Sequence, residues 1–261
     1  MSARELHKKD SITKHYITMN EQTLPKNKIT QFILRIDLPK DCTLDFRQLA
    51  LDLKDDYVRF VENTEHNVHL DLDRHSVTER DFINYVLHAD NGVQLILNTS
   101  QKTISFESNS YIDNSVYVDR LAAIIEKINN QGILGLMSSR IGMRFINLFP
   151  CEKKENIKKI LQKPNDKAII DSLAKVNLNR SVFVEQYNNG NYFVRVQYGI
   201  FNKFYPAVIR NLDVTLDIDV YYGGLRPIAE WTEDIRTYNH AAFDKFKEYV
   251  EPSYIETMQD E

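Results

Sequence analysis

The sequence predicts an α+β fold of two lobes, each mainly antiparallel sheet with helices packed on one face, drawn as ferredoxin-like halves. Alternating segments recur as hairpins on both sides of Pro150, and amphipathic helical stretches separate them, which is the pattern of segregated sheet and helix. A lysine-rich stretch follows that proline and divides the chain near its middle. The composition, 43% hydrophobic and 27% charged over 261 residues, supplies enough apolar surface for a sizeable core.

In order, residues 1–27 read as a polar, basic-leaning arm closed by Pro25. The first lobe spans 28–150. Ile29–Pro39 is rich in β-branched and aromatic residues and reads as a strand stopped by proline. Asp41 or Asp45 caps a helix in which Phe46, Leu49, Leu53, Tyr57, Phe60 and Val61 recur at helical spacing. Val68–His75 then alternates strictly, as a strand does. The stretch 79–92 reads as a loop with a short strand. Val93–Asn98 and Thr103–Asn109 form a hairpin across a short polar turn. From Ser115 an amphipathic helix turns Leu121, Ile124, Ile125 and Ile128 inward and stops at Gly132. Ser139–Pro150 closes the lobe as a strand.

The second lobe spans 151–250. Its lysine-rich start reads as two short helices broken at Pro164. Ser181–Tyr187 and Tyr192–Tyr198 flank an Asn-Asn-Gly-Asn turn, where Asn-Gly favours the positive φ of a tight hairpin. A strand over Asn211–Tyr222 ends at Gly223-Gly224. A terminal helix over Ala229–Val250 buries Trp231, Ile235, Tyr238, Ala242, Phe243 and Phe246. Residues 251–261 read as an acidic tail.

Net charge is -4, which argues against a basic, whole-surface nucleic-acid binder. Cys42 and Cys151 are too few for a disulfide framework and fit a reducing compartment. No apolar run reaches the ~18 residues of a membrane helix, and the first twenty residues are polar, so the expectation is a cytoplasmic protein.

Arg140-Ile141-Gly142-Met143-Arg144-Phe145-Ile146-Asn147 resembles the R-x-G-x-R-[YF]-x-N signature of a sporadically distributed, uncharacterised bacterial and archaeal family. The LDID strand, Leu216 to Asp219, and a terminal helix with His240 three positions before Phe243 match in order. The resemblance covers the chain from Ile29 onward. It implies no assigned activity, and a patchy distribution points by association to mobile or defence genes.

Three constellations carry candidate chemistry. Arg140 and Arg144 on one strand and Asp217 and Asp219 on another are natural partners, because inward carboxylates need pairing and a guanidinium fork suits them. Gly142 between the arginines permits a close neighbour. The alternative is a divalent-metal site on Asp213, Asp217 and Asp219, without the glycine loop such chemistry brings. His69, Asp71, Asp73 and His75 share one strand face and are weak metal candidates; the plain alternative is a solvent face with Val68, Leu70 and Leu72 inside. Lys153, Lys154, Lys158, Lys159 and Lys163 (with Lys167) are weak nucleic-acid candidates, against a solvated helix face with Ile157, Ile160 and Leu161 inward.

No nucleophile elbow, zinc-protease, Walker or dinucleotide motif occurs, and no cofactor is expected. The functional expectation is a non-enzymatic interaction or accessory protein, binding another protein in a bacterial defence or toxin–antitoxin module. Single-stranded RNA or DNA binding, as a nuclease component, is the alternative. A metal-dependent phosphoryl enzyme using Asp217 and Asp219 is the third.

Overall fold

The computed structural model describes residues 24, 26–71, 73, 75–111, 113–133, 135–151, 154–162, 180–200, 202, 206 and 213–259, with backbone alone at 69–71 and 154–155. Nine antiparallel strands form one sheet. They are β1 (Ile29–Asp37), β2 (Arg59–Asp71), β3 (Ser76–His88), β4 (Gln94–Asn98), β5 (Thr103–Ser108), β6 (Met137–Pro150), β7 (Ser181–Asn188), β8 (Phe193–Ile200) and β9 (Asp213–Pro227). Helices α1 (Phe46–Leu53), α2 (Ser115–Asn130), α3 (Trp231–Tyr249) and the short α4 (Pro252–Glu256), with 3-10 segments at Lys54–Asp56, Lys154–Lys159 and Ile228–Glu230, complete the described elements.

The strand order is β2-β3-β4-β5-β1-β6-β9-β8-β7. The chain leaves central β1 through α1, reaches one edge at β2, and returns as a meander through β5. It leaves central β6, reaches the opposite edge at β7, and returns through β8 and β9. Both excursions join where β6 pairs with β1 on one side and β9 on the other. The class is thus α+β with helices on one face, but the strands assigned to two lobes run in a single sheet and no ferredoxin-like halves stand apart. Both edges of β6 are hydrogen-bonded, so no seam separates the residues before Pro150 from those after it.

Strand alternation sorts the side chains. Phe32, Leu34 and Ile36 of β1, Ile104 and Phe106 of β5, Met143 and Phe149 of β6, and Leu216 and Ile218 of β9 are almost fully buried on one face. Leu49, Tyr117, Leu121, Ile124, Trp231 and Ile235 of the helices close over them. Burying each such side chain contributes about 1.5–3 kcal/mol. The opposite face carries no helix among the described residues.

Asp45 is the α1 cap, its carboxylate accepting from the Gln48 amide at 3.0 Å. The helix stops at Leu53 rather than running to Val61. Tyr57, Phe60 and Val61 fit a period of four by coincidence; from Arg59 the chain pairs with β3, so Phe60 meets Leu87 and Val61 meets Val86. The stretch expected as a loop before Val93 is the thirteen-residue β3. The strand expected over 68–75 ends at Asp71; Asp73 and His75 lie in the turn, His75 at a φ of 49°. At the C-terminus, where an acidic tail was expected, α4 packs down: Tyr254 meets Phe149 edge-on and Met258 is buried. Of the expected N-terminal arm, Leu24 is buried, the Lys26 amide donates to the Met258 carbonyl at 3.2 Å, and residues 1–23 lie outside the described residues.

Candidate binding site on the open sheet face

Alternation along β6 puts Arg140, Gly142 and Arg144 on the open face, while Met143, Phe145 and Asn147 face the helices. The signature-like segment therefore works on both faces. Phe145 packs on Phe32 and Tyr111 in the core, and buried Asn147 donates through Nδ2 to the Leu216 carbonyl at 3.2 Å. Along β9, Asp217, Asp219 and Tyr221 share the open face with the arginines.

In the register, Gly142 opposes Tyr221, Arg144 opposes Asp219, and Ile146 opposes Asp217. The ion pairs run diagonally instead. Arg144 donates from Nε to Asp217 Oδ1 at 2.9 Å and from Nη2 to Asp217 Oδ2 at 2.6 Å, a bidentate pair. Arg140 folds back across Gly142, and its Nη2 lies 3.0 Å from Asp219 Oδ2 and 3.3 Å from Oδ1. Its guanidinium sits 4.7 Å from the Tyr221 ring centroid. The glycine is required: a Cβ at Gly142 would lie 2.8 Å from Tyr221 Cβ and 3.1 Å from Arg140 Nη2. Arg195 of β8 stands opposite Asp219 on its other side, so Arg144, Asp219 and Arg195 alternate in charge across three strands.

Burial raises the Asp219 carboxyl above its ordinary range, against the pull of Arg140, Arg144 and Arg195. The hydrogen bond to Asp217 raises Arg144, keeping it charged. Over these groups lies a cleft of about 420 Å³, with Ile33, Ile96, Ser105, Glu107, Arg140 and Asp219 among its walls. A neighbouring cleft of about 320 Å³ shares Arg144 and continues past Asp217 and Gln197. Arg35 at the first cleft is also engaged, Nε to Asp37 Oδ1 at 2.6 Å. Each of these three guanidiniums thus already holds a carboxylate.

The structure brings Arg140, Arg144, Asp217 and Asp219 together. It does not do so for the other two sets. The side chains of His69 and Asp71 lie outside the described residues, and Asp73 and His75 are exposed in a turn. Lys158 and Lys159 are exposed in a 3-10 segment, with Ile157, Ile160 and Leu161 buried; the side chains of Lys153, Lys154 and Lys163 lie outside the described residues. Among the described residues, no group of three or more His, Cys, Asp or Glu is placed to hold a metal ion. No described helix is long and apolar enough to cross a membrane.

Two arrangements went unread in the sequence. Phe193 and Tyr221 stack on the open face with centroids 5.4 Å apart. On the helix face, the Glu185 carboxylate accepts from the hydroxyls of Tyr187, Tyr198 at 2.9 Å and Tyr249 at 2.5 Å. Burial pushes Tyr198 and Tyr249 up, and the bonds to Glu185 add to it. The alternation of Phe183, Glu185 and Tyr187 signalled a carboxylate among aromatics, but two of its three partners come from β8 and α3.

The fold and this face define a sheet platform, covered by helices on one side and polar on the other. Comparison with protein-family models, curated proteins and solved structures returns no match.

Proposed function

We propose that the chain is a non-enzymatic interaction protein whose open sheet face receives another protein. The observation that carries this reading is the cleft above Gly142, whose arginines are already neutralised by Asp37, Asp217 and Asp219. A polyanion gains little from guanidiniums that must first release a carboxylate. A polypeptide of mixed charge finds donors, acceptors and apolar contacts at Ile33 and Ile96 together. The segment 140–147 and its resemblance support an accessory role in a bacterial defence or toxin–antitoxin module. Neither Cys42 nor Cys151 is in a disulfide, which supports a reducing, cytoplasmic setting.

Single-stranded RNA or DNA is the second reading, favoured by the Phe193–Tyr221 stack beside Arg195, since bases stack on sheet aromatics. A photoreactive residue in place of Ile33, irradiated in the native host, separates the two. The proposal expects an adduct destroyed by protease and untouched by nuclease. A nuclease-sensitive adduct establishes the second reading, and no adduct at all refutes the cleft as a macromolecular site.

A further inference from the structure

Strands β2 and β3 pair over thirteen residues without a register shift, from Arg59 opposite His88 to Asp71 opposite Ser76. β4 pairs with β3 only from Tyr85 to His88. From Asn63 and Asn84 outward the hairpin is therefore a two-stranded ribbon standing beyond the sheet, about 30 Å long at the rise of a strand. Two-stranded ribbons gain little stability alone in water. β2 is also the edge of the whole sheet. Edges are usually blunted by lysine, proline or a bulge; β2 contains neither residue, and its pairing is regular.

One ribbon face continues the face that α1 covers in the main sheet. It carries Val68, Val77 and Ile83, which are 61%, 60% and 43% exposed. Exposed Glu62, Glu79 and Asp81 lie among them, and no lysine or arginine occurs on that face; Arg59 and Arg80 belong to the other. His66, on the same face, holds the Asp81 carboxylate through Nδ1 at 2.7 Å, and Glu62 and Glu79 add two further exposed carboxylates. Apolar residues interleaved with this excess of carboxylates beside an open backbone edge define what fits: an extended strand in which basic and apolar residues alternate.

We propose that β2 is a strand-addition site for a basic, extended polypeptide segment, which joins the sheet as its tenth strand. Backbone hydrogen bonds to the β2 edge hold the segment. Its apolar side chains cover Val68 on the ribbon face, and its lysines or arginines answer Glu62, Glu79 and Asp81. The site lies on the sheet's edge, apart from the cleft above Gly142, so either stands if the other falls.

The test is fluorescence anisotropy with a labelled peptide of alternating lysine and valine, titrated with the full chain at about 50 and 300 mM salt. Saturable binding is expected, weaker at the higher salt. Glu79→Lys with Asp81→Lys should weaken it roughly tenfold or more, while Arg236→Ala, on the exposed side of α3, leaves it unchanged. The same peptide N-methylated at alternate residues keeps its charge but cannot pair with the edge, and should not bind. Equal binding of the methylated peptide, or of a glutamate–valine peptide, overturns the proposal, as does an unaltered affinity of the doubly reversed variant. A dimer by sedimentation that excludes the peptide overturns it in favour of self-association.

Discussion

Removing Arg144 and removing Asp217 break the same bidentate bond, yet the two losses are unequal. The Arg144 side chain is 41% exposed and that of Asp217 is 10% exposed. In Asp217→Ala the orphaned guanidinium swings into the cleft and recovers water, so the cost stays nearer that of a surface pair, about 1 kcal/mol. In Arg144→Ala the orphan is a carboxylate held on β9 between β6 and β8, where breaking a buried pair costs about 3–5 kcal/mol. Partial solvent access beside it favours the lower end, about 3 kcal/mol, which at this chain length is a fall of about 6–12 °C in Tm. Urea denaturation of both variants, with the double variant closing the cycle, measures the difference and the coupling. Equal costs, or a larger cost for Asp217→Ala, would refute the reasoning from exposure, and a coupling near zero would refute the pair.

Gly142→Ala should cost about 1–3 kcal/mol by crowding and release Arg140 from Asp219, read as faster exchange of the Arg140 side-chain N–H in nitrogen-edited spectra. Tyr249→Phe removes one of three hydroxyls from the Glu185 carboxylate and should cost about 2 kcal/mol in a melt; an unchanged Tm counts against the cluster as a tie between β7 and α3. Asp219 is held above its ordinary 3.8 by burial, so the native state keeps this proton to higher pH than the unfolded chain. Its contribution is favourable below about pH 4 and is lost as pH rises through the folded value. Asp219→Asn should therefore gain on the wild type as pH rises from about 4 in urea titrations at each pH, and a gap that stays flat or shrinks contradicts this.

The sequence was most legible where period and punctuation agreed. The Asn-Asn-Gly-Asn turn between β7 and β8, the Gly132 stop of α2, with its φ of 77°, and the arginine and aspartate stripes all follow from local rules. It misled where two periods overlapped. Tyr57, Phe60 and Val61 satisfy helical and strand spacing alike, and the choice was made by β3, a partner that local spacing does not reveal. The single sheet was hidden for a similar reason: that β6 pairs on both edges is a long-range fact, while the lysine-rich stretch after Pro150 looks like a boundary. The arginines and aspartates could be matched from sequence, but the diagonal choice of partners could not, because it depends on register and on Arg140 lying across Gly142.

Native-state amide exchange across β1, β6 and β9 tests the central claim, that one continuous sheet joined at β6 carries the polar face. The amides of Phe145, Ile218 and Val220 should open with one free energy, equal to that of global unfolding, and all should fall together in Arg144→Ala. If β9 exchanges with β7 and β8 through a cheaper opening while β1 and β6 stay protected, the chain is two lobes and the account fails.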